Sequence, residues 1–102
     1  MTTTIVRPQA QDDIEEAVLW YRAIDPNLAM RFSNEFESLL GQLDSFPQLF
    51  GKVYRDIRLA PLKRFPYNFW YVYHESADIV IVLRVSHKRQ DDEQIKWRLP
   101  DE

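Results

Sequence analysis

A chain of 102 residues can bury roughly 65% of its unfolded surface around one core, so a single domain over residues 1–102 is expected. A 45% hydrophobic and 14% aromatic content with two glycines excludes a disordered or low-complexity chain. The lack of cysteine excludes a disulfide framework and a thiolate zinc site, and fits a reducing compartment.

No apolar run reaches bilayer-spanning length, since Ile79–Val85 already contains Arg84. The start, Met1 to Pro8, has neither the charged region nor the long apolar run of a secretion signal. A cytoplasmic protein without a membrane partner is expected. The net charge of -3 is unevenly spread: residues 1–51 hold three basic and eight acidic residues, and residues 52–102 hold ten basic and eight acidic. An anionic partner is therefore expected to meet the second half.

In chain order, Thr3–Arg7 is β-branched and reads as a strand stopped by Pro8, which has no amide proton for a ladder. From Gln11 onward Ile14, Ala17, Val18 and Tyr21 repeat at helical spacing. Asp12, Asp13, Glu15 and Glu16 read as carboxylates at the positive end of that helix. Asp25-Pro26 marks a cap and the start of a second helix. Leu28, Phe32, Phe36, Leu39, Leu40 and Leu43 carry it to Ser45-Phe46-Pro47. So short a link implies an antiparallel helical hairpin.

After Gly51 the period becomes alternating, with Val53, Arg55, Ile57 and Leu59 facing one way and Tyr54, Asp56, Arg58 and Ala60 the other. Phe65–Tyr73 and Ile79–Val85 are the best-supported antiparallel pair, joined by the loop His74–Asp78. Asp91–Trp97 forms a short helix or a tail docked through Trp97. The expected fold is α+β: an N-terminal strand, an antiparallel helical hairpin, then a three-stranded antiparallel meander, with the helices on one face of a mostly antiparallel sheet.

Asp13-Ile14-x-Glu16-Ala17-x-x-Trp20-Tyr21, then Ala29-x-x-Phe32 and Phe46-Pro47, resemble the helical hairpin of RelE/ParE toxins of bacterial type II toxin-antitoxin systems. Arg58, Lys63-Arg64-Phe65-Pro66-Tyr67 and the strand ending Val85-x-His87-x-Arg89 extend the resemblance, which runs from Ile5 to Trp97. It implies a toxin silenced by a cognate antitoxin, a separately encoded protein that covers the toxin with a helix or adds a strand to its sheet. Members similar to RelE cut messenger RNA on the ribosome without a metal. Those similar to ParE poison DNA gyrase and are not regarded as nucleases.

For the nuclease reading the resemblance implies Arg58, His87, Lys88 and Arg89 as the working set, because cleavage through a 2'-hydroxyl needs a base, an acid and cations around the phosphorane. Three departures favour the ParE-like branch. Asn68 stands where the nucleases tend to carry arginine, no tyrosine follows Tyr73, and Trp97, a poor proton-transfer group, occupies the C-terminal region. Overall acidity also disfavours docking on ribosomal RNA. A third reading is a family member that retains only antitoxin binding.

Arg55, Arg58, Lys63, Arg64, Arg84 and Arg89 are the candidate binding cations. For Arg58, Lys63 and Arg64 the plainer alternative is an ordinary solvated strand and loop, and for His87 a strand-end residue bonded to a neighbouring backbone or carboxylate group. Arg84, within an apolar strand, requires either cover by the antitoxin or an acidic partner inside the chain. Trp20, Trp70 and Trp97 read as core or hairpin packing. No metal or other cofactor is expected, because His87 lacks a second histidine at ligand spacing. The edge strand of so small a sheet invites antitoxin pairing, or a homodimer when antitoxin is absent.

Overall fold

The computed structural model describes residues 2–89, so the Asp91–Trp97 segment and Trp97 lie outside the described residues. The elements are β1 (Thr3–Val6), α1 (Pro8–Ile24), α2 (Pro26–Ser45), β2 (Lys52–Tyr54), β3 (Ile57–Pro61), β4 (Tyr67–His74) and β5 (Ile79–His87). The α+β architecture and the helical hairpin are as expected.

Pro8 opens α1 rather than merely ending β1. Its fixed φ suits the first helical position, where an amide proton would have no partner. The helix therefore starts three residues before Gln11, and no acidic residue lies in its first turn. The reading of Asp12, Asp13, Glu15 and Glu16 as a dipole-facing cluster is thus overturned. Asp25 joins the two helices: its amide closes α1 on the Tyr21 carbonyl at 2.8 Å, and its Oδ1 accepts the Asn27 amide of α2 at 2.9 Å.

The sheet is mixed, in the order β1-β5-β4-β3-β2. β1 lies parallel to β5 (Thr3↔Ile79 to Val6↔Val82) and the other pairs are antiparallel. The single strand expected over Val53–Ala60 is in fact two strands folded back at Arg55-Asp56. Arg55 takes φ 52 there, and Lys52 pairs with Arg58 across the turn. A left-handed residue cannot sit inside a strand, so the uninterrupted alternation predicted through Arg55 fails. β4 begins at Tyr67 rather than Phe65, because Pro66 has no amide to donate and Phe65 turns into the core.

The main core lies between the helices and one sheet face. Ala10, Ala17, Phe32, Leu39 and Leu43 meet Ala60, Phe69, Tyr71, Val80, Val82 and Val85 there. On the opposite face Ile57, Trp70, Val72 and Leu83 form a smaller cluster, with the Trp70 Nε1–H donating to Ser86 Oγ at 2.8 Å. Trp70 is core, as expected. Trp20 is not: it is 65% exposed.

Among the described residues an ion pair joins the layers. The register of β4 on β5 slips between Trp70 and Tyr71, whose partners are Arg84 and Val82, leaving Leu83 without a partner of its own. The bulge shifts the alternation, so that Val82 and Val85 both enter the helix-side core. Beside it Arg84 donates to Asp13 of α1 through Nε at 2.8 Å and a terminal nitrogen at 3.1 Å. The same carboxylate accepts the Val85 amide at 2.9 Å. Of the two sequence readings of Arg84, the acidic partner inside the chain is the one observed, and the hydrogen bond to Asp13 holds the guanidinium above its ordinary pKa.

Asp13→Ala strands a guanidinium whose side chain is only 26% exposed and an amide that loses its acceptor. A loss of about 2 kcal/mol is expected, read from the urea midpoint at unchanged slope. A loss below about 0.5 kcal/mol, the range of an exposed pair, would contradict this assignment.

Candidate functional site

The antiparallel pairing brings the β3–β4 loop and the end of β5 to one end of the sheet. Tyr67 opposes His87, and the Lys88 amide donates to the Pro66 carbonyl at 2.7 Å. The loop is short and fully tied. Leu62 N–H donates to the Tyr67 carbonyl and Tyr67 N–H to the Phe65 carbonyl. Phe65 is buried, edge-on to Tyr21 at 5.0 Å and to Phe32 at 5.3 Å. Anchoring Phe65 inward leaves its neighbours Lys63 and Arg64 exposed, on the same end as the exposed Lys88 and Arg89. The result is a basic end.

His87 stands at its margin. The Arg89 amide donates to His87 Nδ1 at 3.0 Å, so Nδ1 carries no proton and the neutral ring has its proton on Nε2. The ring lies edge-on to Tyr67 at 5.1 Å. Beside them a groove of about 550 Å³ is lined by Glu16, Ala17, Trp20, Tyr67 and His87. Burial pushes the Tyr67 hydroxyl up from its ordinary pKa, with smaller contributions from Tyr21 and Glu16 in the same direction. Burial also raises Tyr21.

Arg58 is elsewhere. It opposes Tyr71, four residues along β4 from Tyr67, on the far side of β4 from β5. That is roughly 13 Å along the strands and two strand spacings, roughly 10 Å, across them. One of its terminal nitrogens donates to the Phe50 carbonyl at 2.6 Å. Arg58 lines a separate depression with Lys52, Asp56, Tyr73, His74 and Glu75. Arg55 caps the β2–β3 turn and lies over the Tyr54 ring at 5.3 Å.

Among the predicted residues, then, His87, Lys88 and Arg89 are adjacent, and Lys63 and Arg64 lie at the same end. Arg58 and Arg55 lie apart from them, and Arg84 is bonded to Asp13. Sequence reasoning assigned no role to Glu35, whose Oε1 accepts the Lys63 and Arg64 amides at 3.1 and 2.9 Å. It also missed the exposure of Leu19, Trp20 and Ile24 on α1 and of Met30 on α2. A signal for Trp20 was present: Asp13, Glu16, Trp20 and Ile24 follow one another at spacings of three and four, a row beside the core stripe and partly polar. Among the described residues no group of three or more His, Asp or Glu could hold a metal ion, and no helix is long and apolar enough to cross a membrane.

A family model described as the ParE toxin of type II toxin-antitoxin systems matches residues 4–92. Among solved structures, the chromosomal ParDE toxin-antitoxin system of P. aeruginosa is similar with a TM-score of 0.66 at 15% identity, covering 85% of this chain and 96% of that one. The RelBE2 toxin-antitoxin complex of Mycobacterium tuberculosis is similar with a TM-score of 0.59 at 21% identity, covering 84% and 96%. The isolated E. coli RelE toxin is similar with a TM-score of 0.61 at 13% identity, covering 97% and 100%. These likenesses are of fold. No curated protein matches the chain.

Alkaline titration tests the half-buried phenols Tyr21 and Tyr67 at the basic end. A phenol whose folded pKa is raised contributes stability that is full below its unfolded value of 10.0 and is lost as pH rises through the folded value. Tyrosinate absorbance is therefore expected to rise in part only above that pH, and Tyr67→Phe to shrink the delayed component. Simultaneous ionisation of all five tyrosines at the ordinary value would contradict the described packing.

Proposed function

Because the chain belongs to the ParE toxin family of type II toxin-antitoxin systems, we propose that this toxin acts by seizing a large cellular target such as DNA gyrase. In this reading a cognate antitoxin silences it in the cytoplasm, and it does not cut RNA. The observation that carries the reading is the separation of Arg58 from His87, Lys88 and Arg89 across β4. General acid-base cleavage needs its acid, base and phosphate-binding cations around one reacting bond, within hydrogen-bond reach. Here the cation expected from β3 is bonded to a backbone carbonyl, and the histidine has one ring nitrogen committed to its own strand end.

What remains suits binding. Lys63, Arg64, Lys88 and Arg89 make an exposed basic end on a chain of net charge -3, and the α1 row beside it exposes Trp20 at 65% and Ile24 at 62%. Aromatic and arginine side chains are the groups most often responsible for affinity at protein interfaces. Opposite charge on the partner would speed encounter. The cations also suit an antitoxin that carries acidic residues; the similar ParDE and RelBE2 structures are of toxin-antitoxin systems.

Expression of the chain alone in a bacterial host is expected to arrest growth, and co-expression of the neighbouring gene to relieve it. His87→Ala should leave the arrest intact, whereas Lys63→Glu with Arg64→Glu should weaken it. Loss of toxicity in His87→Ala at unchanged soluble level would favour the RelE-like nuclease. Unimpaired growth with the unmodified chain would favour a member that retains only antitoxin binding.

A further inference from the structure

The amides of Lys63 and Arg64 donate to a single atom, Glu35 Oε1. These bonds join α2 to the loop across 28 and 29 residues of sequence. The rest of the loop is anchored by Phe65 and by backbone bonds at Leu62 and Tyr67. The orientation of the two peptide units that carry the cations therefore depends on Glu35. Neither the Lys63 nor the Arg64 side chain has an ion-pair partner among the described residues.

Glu35 Oε2 is shielded from solvent and meets no donor among the described residues, so the hydrogen-bonding work of this side chain falls on Oε1. A glutamine would supply the same accepting oxygen to both amides. The clasp sets two cations at a fixed place above a groove of about 630 Å³. That groove runs between α2 and the loop, with Arg31 on its wall and Leu39, Phe50 and Phe65 among its apolar lining. Acidic residues on a partner would meet Lys63, Arg64 and Arg31 together, beside an apolar surface.

We infer that Glu35 is a positioning residue: it presents Lys63 and Arg64 to an acidic segment of the antitoxin. This rests on the antitoxin reading above. Acting through the loop, Glu35 has no separate contribution once the two cations are gone.

The test is a binding series with the purified protein encoded by the neighbouring gene. Glu35→Ala is expected to weaken binding about tenfold, the scale of a central interface contact. Glu35→Gln keeps the accepting oxygen and should bind like the unmodified chain. Lys63→Ala with Arg64→Ala should weaken binding at least as much, and adding Glu35→Ala to that pair should cost nothing further, since residues acting as a unit are not additive. Amide exchange at Lys63 and Arg64 should speed up in Glu35→Ala and not in Glu35→Gln. Glu35→Leu, which fills the same space without an acceptor, replaces the alanine variant if that one does not fold.

Additive losses, or a glutamine variant as weak as the alanine one, would overturn the positioning role while leaving antitoxin binding intact. Absence of binding by the unmodified chain would overturn the antitoxin reading itself, and this inference with it.

Discussion

The Asp13 carboxylate is the joint on which the layers depend. β1 pairs with β5 only as far as Val82, where the Arg7 amide reaches the Val82 carbonyl at 3.1 Å before the chain turns into α1. Past that point no strand among the described residues lies on the outer side of β5, yet it must run on to His87 to form the basic end. Asp13 takes over from β1: it accepts the Val85 amide as a strand carbonyl would, and grips Arg84 on the same side. A charge inside an otherwise apolar strand is tolerable because its partner arrives with two parallel hydrogen bonds. The bulge at Leu83 directs the arginine toward the helix. The helical hairpin and the end of β5 are held as one body by this contact and by the aromatic packing of Tyr21 and Phe32 on Phe65 and Tyr67.

Exposed cations collect where the β3–β4 loop meets the end of β5. Two carboxylates of the helices, Asp13 and Glu35, bond to that end of the sheet by accepting its backbone amides. Each fixes the segment just before or within a run of exposed cations. The surface that results is positive at one end, with Trp20 and Ile24 exposed on the neighbouring helix, and these are the features that the proposed recognition role uses.

The helical hairpin and the β4–β5 pair were legible because their signals are local. Leu28 to Leu43 repeat over several turns, and Tyr67–Tyr73 and Ile79–Val85 are dense in strand-forming residues. The strand turn at Arg55-Asp56 was not legible, because it places a non-glycine residue at positive φ within a stretch that alternates well. Pro8 was read as a stop when it is also a start, and that shift moved Asp13 from a supposed dipole partner to the partner of Arg84, 71 residues away. Pairings of that span leave no periodic trace in one sequence, and the parallel seat of β1 beside β5 is of the same kind. The candidate cations were identified by charge and by their positions in the family resemblance. Chain order could not tell that Arg58 would lie across the sheet from Lys88, or that Glu35 would clasp the basic loop.

The most direct test of the account adds the purified chain to two reactions in parallel: DNA supercoiling by gyrase, and messenger RNA on translating ribosomes. Binding without RNA chemistry predicts inhibited supercoiling that the antitoxin relieves, with the message intact. Cleaved message, reduced in His87→Ala, with gyrase unaffected, would contradict it.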